Sequence, residues 1–201
     1  MKVNETFLSL QGEGYFTGTP AFFLRLSGCN LQCPFCDTHH QSFTEMSEEE
    51  IVQEASSHKP RHIVITGGEP ALQLTQSLVN KLHAAGFFVQ VETNGTQPLP
   101  DGIDWVTCSP KTAPLQSSPR SVRLSTVDEL KVLFMGNGTD PDGFVSSFQG
   151  RGRGKLRLYL QPLDTGDEMR NRIILRDTIA YIMQHPEWSL SLQTHKMLGI
   201  K

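Results

Sequence analysis

The sequence predicts an α/β fold: an incomplete, TIM-like barrel of about six parallel strands with about three helices. Three observations predict it. Apolar runs of strand length recur along the chain, the stretches between the early ones carry helical spacing, and the polar motifs nearly all follow strands. Strand–helix–strand order makes neighbouring strands parallel, with right-handed connections. An open doubly wound sheet fits the same pattern, and in both architectures the C-terminal strand ends line the site. A length of 201 residues fits one domain over 1–201.

Residues 21–27 (AFFLRLS) form the first predicted strand, ending at Gly28. Ser47 and Glu50 fit a capping box for a helix that runs to about His58, before Lys59-Pro60. Residues 62–66 (HIVIT) make a second strand, broken by Gly67-Gly68. Pro70 suits the first turn of a second helix, in which Leu74, Leu78, Val79, Leu82 and Ala85 recur at three- and four-residue steps before Gly86. Residues 87–93 (FFVQVET), 105–108, 129–134 and 156–161 follow as strands, with connections at 112–128 and 136–155 that lack helical periodicity. Residues 171–185 carry Ile174, Ile179, Ile182 and Met183 as a third helix, and 190–192 read as a last strand.

Composition excludes several classes. A hydrophobic fraction of 37% rules out a disordered chain. Eighteen Lys and Arg against 21 Asp and Glu leave a net charge of −3, with no field to draw nucleic acid or an anionic membrane. The opening residues lack the plan of a signal peptide, and no apolar run approaches a membrane span. The expected location is therefore the cytoplasm, where thiols stay reduced. Three of the four cysteines, Cys29, Cys33 and Cys36, crowd into eight residues, which points to metal or catalysis.

The spacing of that loop is C-x3-C-x2-C, with Phe35 just before the last cysteine. Three thiolates suit an iron–sulfur cluster, whose usual four-iron form takes four cysteines, so three leave one iron for another ligand. Zinc is the alternative, with Cys108, His39 or His40 closing the site, although Cys108 also reads as a small core residue. Gly67-Gly68-Glu69-Pro70 lets backbone approach a ligand, and a carbonyl there or Glu69 can accept from an ammonium; a plain strand-to-helix turn serves equally. Glu92-Thr93-Asn94-Gly95 offers an acidic contact or a hairpin turn.

The cysteine loop resembles that of the radical S-adenosylmethionine superfamily, and the Gly67–Pro70 and Glu92–Gly95 motifs match further superfamily segments. Leu10-Gln11-Gly12-Glu13-Gly14, Cys36-Asp37-Thr38, Ser109-Pro110-Lys111 and Gln193-Thr194-His195-Lys196 together narrow the resemblance to the 7-carboxy-7-deazaguanine synthase family, over almost the whole chain. The resemblance implies a 4Fe–4S cluster on Cys29, Cys33 and Cys36, with S-adenosylmethionine on the fourth iron and Mg2+ on Thr38. It implies S-adenosylmethionine contacts at Phe35, Asp37, Gly68, Glu92, Ser109, Pro110, Lys111, Gln161, Pro162, Leu163 and Asp164. Pterin contacts fall at Leu10, Gln11, Gly12, Arg25, Thr66 and His195, and at the terminal carboxylate of Lys201.

The implied reaction converts 6-carboxy-5,6,7,8-tetrahydropterin to 7-carboxy-7-deazaguanine with loss of ammonia, on the route to queuosine. A homodimer and an external electron donor such as a flavodoxin are implied partners; nucleic acid and membrane are not. The residue types suit these roles. Arg25 offers a planar fork for a carboxylate, with a surface ion pair as its plainer reading. Gln11 supplies both donor and acceptor to a pyrimidine edge, and Thr38 suits a metal that keeps waters, or simply caps its loop. Two rivals remain: a small activase that abstracts hydrogen from a partner protein, and a zinc-stabilised RNA module using residues 151–155 (RGRGK).

Overall fold

The computed structural model describes residues 1–36, 38, 42–111, 121–136, 139–151 and 154–201. In chain order the elements are β1 (Lys2–Leu10), β2 (Pro20–Leu26), β3 (Thr44–Glu45), α1 (Glu48–Ser56), β4 (His62–Gly67), a 3-10 turn (Pro70–Leu72), α2 (Gln76–Ala84), β5 (Phe88–Thr93), β6 (Trp105–Cys108) and β7 (Thr126–Val127). They continue with β8 (Glu129–Phe134), α3 (Asp142–Val145), β9 (Gln149–Gly150), β10 (Arg157–Pro162), α4 (Glu168–Gln184), β11 (Ser189–Leu190) and α5 (Thr194–Leu198).

The architecture is α/β around one mostly parallel sheet in the order β11-β10-β8-β6-β5-β4-β2-β1-β3. This nine-stranded sheet corrects the expected count of about six. Strands β2 to β11 of that order run parallel to their neighbours, and the additional strand β1 lies antiparallel to β2. Strand β1 escapes sequence reading because its register shifts between Val3 and Glu5, which breaks the two-residue alternation. A separate two-stranded sheet pairs β7 with β9.

Alternation along the strands sorts residues between two faces. Leu24, Ile63, Ile65, Val89, Val91, Leu130, Val132 and Leu160 pack with Ile51 of α1 and Leu78 and Leu82 of α2 in the main core. Truncating one of these to alanine costs roughly 2–5 kcal/mol. On the other face Ala21, Phe23 and Val64 form a small cluster with Phe7. Beyond it the inner residues turn polar, with Gln90, Thr107, Glu129, Lys131 and Gln161 all buried. Opposite margins of the sheet are joined: Gly14 N donates to Ser191 Oγ at 3.0 Å, and Thr194 N donates to Gly12 O at 3.0 Å.

The predicted capping box of α1 is present, with Ser47 and Glu50 bonded reciprocally. The helix expected to begin at Pro70 instead divides. Pro70–Leu72 is a 3-10 turn capped by Glu69, and α2 starts at Gln76, where Thr75 Oγ1 accepts from Leu78 N at 3.0 Å. A threonine N-cap resets the helix start, so the first turn predicted from Pro70 does not continue. Helix α4 begins at Glu168, three residues before the expected start, because Asp167 caps it. The short helices α3 and α5 are too brief for periodicity to reveal.

Candidate active site

One cavity of about 620 Å³ opens at the C-terminal ends of the parallel strands. Gly28, at φ +91°, turns the chain out of β2 and into the cysteine loop. Cys29, Cys33 and Cys36 all line the cavity, with Cys36 N donating to Cys33 O at 3.1 Å. Burial raises the Cys29 thiol; the nearby Glu69, Cys33 and Cys36 charges add to that, against the Leu31 amide. Such mutual repulsion is what a bound cation relieves. Among the described residues no fourth cysteine faces the cavity. Cys108 sits fully buried in the main core, where burial pushes it to about 12. Three thiols on one short loop therefore fit a cluster with a vacant coordination position, and Cys108 is not a zinc ligand. His39 and His40 lie outside the described residues.

Opposite the loop, Gly67-Gly68 brings β4 against it. Gly68 N donates to Leu26 O and Glu69 N donates to Gly28 O, both at 2.9 Å. A Cβ at Gly68 would overlap the Gly28 carbonyl, so only glycine allows this approach. Glu69 is already hydrogen-bonded within the protein. It is fully buried, and its carboxylate takes Ala71 N at 3.0 Å, Thr93 Oγ1 at 2.7 Å and Asn94 N at 2.7 Å. Asn94-Gly95 makes no hairpin, because β6 runs parallel to β5.

Of the other expected site residues, Leu10, Gln11, Gly12, Arg25, Phe35, Thr38, Thr66, Gly68, Glu92, Ser109, Lys111, Gln161, Pro162, Leu163, Asp164, His195 and Lys201 line this cavity. Pro110 does not, and Asp37 lies outside the described residues. Arg25 Nε donates to Glu5 Oε1 at 3.0 Å and its Nη1 donates to Thr38 Oγ1 at 3.1 Å. The arginine is thus both ion-paired and cavity-facing. Lys111 Nζ donates to Ser109 O at 2.9 Å, and burial lowers its pKa, with the Lys131 charge adding. Lys196 Nζ donates to Asp164 Oδ2 at 2.8 Å, tying α5 to the end of β10. Lys201 reaches back over Phe7 and pairs with Glu5.

Two further cavity residues, Glu13 and Lys131, were not singled out from the sequence. Lys131 Nζ donates to Glu13 Oε2 at 2.5 Å and to Glu92 Oε2 at 2.8 Å. Burial opposes ionisation of Glu13, yet the Lys131 charge and hydrogen bond outweigh it and hold the carboxyl at about 2. Burial likewise opposes charge on Lys131, but Glu13, Glu92 and Glu129 together raise its pKa. The basic stretch at 151–155 offers no support for an RNA surface at its first residue: Arg151 is committed to Asp128 Oδ2 at 2.8 Å and to Ile103 O at 2.6 Å. Among the described residues no helix is long and apolar enough to cross a membrane.

Comparison with known proteins gives the same picture. Residues 24–114 match the Radical SAM superfamily profile. The chain is 44% identical, over all its residues and 98% of the relative, to a 7-carboxy-7-deazaguanine synthase of Bacteroides thetaiotaomicron. A synthase of the same name from Synechocystis is 39% identical, over 99% of this chain and 93% of the relative. The crystal structure of QueE from Escherichia coli superimposes with a TM-score of 0.79 at 28% identity, covering 95% of this chain and 92% of that one. Streptococcus suis SuiB bound to S-adenosylmethionine shares the fold alone, with a TM-score of 0.50 at 14% identity over 82% of this chain and 44% of that one.

Proposed function

The chain belongs to the 7-carboxy-7-deazaguanine synthase family of radical S-adenosylmethionine enzymes, and we propose that its cavity converts 6-carboxy-5,6,7,8-tetrahydropterin to 7-carboxy-7-deazaguanine with release of ammonia. The observation that carries this reading is the joint presence, in one cavity, of three thiols and a polar wall built from Gln11, Arg25 and Thr66. When bound, the cluster and S-adenosylmethionine would supply radical chemistry to the substrate. Cys29, Cys33 and Cys36 hold the cluster.

The residues divide the remaining work. Arg25 pairs with the substrate carboxylate, and Glu5 fixes its guanidinium by the Nε hydrogen bond. Gln11 meets the pyrimidine edge, with Leu10, Gly12, Thr66 and His195 around the ring and Lys201 at the rim. Gly68, Phe35, Ser109, Lys111 and residues 161–164 hold S-adenosylmethionine, with Asp37 and Pro110 as outer contacts, and Glu92, hydrogen-bonded to the pterin contact Gln11, serves both ligands. Thr38, whose hydroxyl accepts from Arg25 Nη1, would hold Mg2+. Walls on several sides of the cavity would limit the access of water to bound ligands.

The sheet acts as an incomplete barrel within a single domain over 1–201, working in the cytoplasm as a homodimer that draws electrons from a reductant such as a flavodoxin. Anaerobic reconstitution with iron and sulfide, followed by S-adenosylmethionine, Mg2+, reductant and carboxytetrahydropterin, tests the reading. The expected result is 7-carboxy-7-deazaguanine with S-adenosylmethionine regenerated. A reconstituted cluster that cleaves S-adenosylmethionine yet leaves the pterin untouched overturns it, and favours an activase. Protein that takes up zinc and no iron overturns it in favour of a binding module.

A further inference from the structure

Strand β8 carries a lysine into the cavity wall, between two carboxylates from elements distant in the chain. Lys131 is 3% exposed, while Glu13 belongs to the loop after β1 and Glu92 to β5. The lysine bonds one oxygen of each carboxylate, and the second oxygen of each accepts from glutamine side chains while keeping a further lone pair. Glu92 Oε1 accepts from Gln11 Nε2 at 3.1 Å and from Gln90 Nε2 at 3.3 Å. Glu13 Oε1 accepts from Gln193 Nε2 at 3.0 Å. Both acidic residues and the lysine line the cavity.

Packing alone does not explain a lysine at this position. An apolar side chain of similar volume is often as stable as a buried ion pair, because desolvation offsets the attraction. One ammonium between two carboxylates also leaves a net charge of −1, which suits a ligand edge rich in N–H donors. The aminopyrimidinone edge of a pterin presents two such donors side by side, a ring N–H and an exocyclic amine, matched to carboxylate oxygens. Gln11, the expected pterin contact, is already hydrogen-bonded to Glu92.

We propose that Lys131 is a positioning residue that clamps the carboxylates of Glu13 and Glu92 in place as acceptors for the N–H edge of the pterin. The proposal rests on the cavity being a pterin site. Groups facing the clamp come from each surrounding element: Glu129 two residues earlier on β8, Lys111 after β6, His195 on α5, and Gln11 beside Glu92. Without the lysine, burial of Glu13 is no longer offset by its main positive neighbour, which pushes that carboxyl toward its protonated form. A protonated acid presents a donor where the substrate also presents one, so substrate binding falls as pH falls.

The test compares reconstituted wild type, Lys131→Met and Lys131→Arg between pH 6 and 9, in turnover and in calorimetric binding of carboxytetrahydropterin to cluster-free protein. For Lys131→Met the expected results are a KM and a binding constant weakened roughly 10- to 100-fold, the loss of one charge-assisted contact, and a new acidic limb in kcat/KM. Lys131→Arg restores both and removes the limb, and S-adenosylmethionine still perturbs the reduced cluster spectrum in all three. A Lys131→Met enzyme with unchanged KM and pH profile overturns the clamp. So does one that Lys131→Arg does not rescue, which marks a mere structural brace. Should Lys131→Met fail to fold, Glu13→Gln carries the test, and pterin binding undiminished in that variant overturns the clamp. Wild type that cleaves S-adenosylmethionine but binds no pterin overturns the functional reading itself, a distinct outcome.

Discussion

Arg25 donates from Nη1 to Thr38 Oγ1 at 3.1 Å, so the arginine and the hydroxyl beside the cysteine loop are one hydrogen-bonded unit. A lysine at position 25 keeps the charge but loses the planar fork that reaches Glu5 and Thr38 together. Arg25→Lys is expected to raise the KM for carboxytetrahydropterin roughly 10-fold or more, the worth of one charged hydrogen bond. Cleavage of S-adenosylmethionine without substrate is expected to be unchanged. Steady-state kinetics beside a 5′-deoxyadenosine assay check both; loss of uncoupled cleavage would place Arg25 with the cofactor instead.

Glu69 serves the scaffold. Its three accepted hydrogen bonds tie the Pro70 turn to the end of β5, and each donor is left unpaired if the carboxylate goes. Glu69→Ala is expected to destabilise cluster-free protein by about 2–4 kcal/mol, the cost of orphaning several buried polar groups. Urea unfolding measures it as a drop in midpoint at unchanged slope. A variant of normal stability that has lost S-adenosylmethionine binding would return Glu69 to the ligand contacts.

Gly68 predicts a sharper failure. The Cβ of Gly68→Ala meets the Gly28 carbonyl, one residue before Cys29. Because Glu69 N already holds that carbonyl, the overlap cannot be relieved without moving the cysteine loop. Reconstituted Gly68→Ala is expected to hold less than about half the wild-type iron, since metal affinity depends on ligands held within tenths of an ångström. Iron and sulfide analysis, with the absorbance of the cluster, decides it.

The strands that position the site were legible because β2 and β4 are apolar on successive residues, which marks strands buried on both faces, and because β5 alternates Val89 and Val91 with Gln90 and Glu92. The cysteine loop and Gly67-Gly68 were legible because they follow those strands directly. Lys131 was not. In ELKVLF the polar Glu129 and Lys131 alternate with Leu130 and Val132, which in isolation reads as an outer, solvated face. Only the joining of opposite sheet margins, through Gly12 to Thr194 and Gly14 to Ser191, makes that face the wall of a cavity. Glu13 was visible within its motif, but its partner on β8 lies 118 residues away, beyond any local pattern. The partners of Glu69 are also remote in sequence, Thr93 at the end of β5 and Asn94 just after it.

Glu129 gives the protein a pH-dependent stability of defined sign. Burial pushes its carboxyl up to about 7; Lys131 opposes this and Glu92 adds to it. The folded state therefore holds a proton that the unfolded chain, titrating near 4.5, has released. Its contribution is fully present below about pH 4.5 and is lost as pH rises through about 7, on the order of 3 kcal/mol by linkage. Burial raises Glu69 as well, with the same sign, whereas His62, lowered by burial, works the other way around its ordinary value. Glu13 titrates near 2, below this window. The difference between wild type and Glu129→Gln isolates the effect, because glutamine keeps an acceptor for Tyr15 N and Trp105 Nε1 and cannot ionise. Urea unfolding of cluster-free protein at pH 5, 6, 7 and 8 is expected to show Glu129→Gln gaining on wild type at each step upward. Parallel stability curves would mean that Glu129 is ionised throughout, with Lys131 holding three carboxylates rather than two.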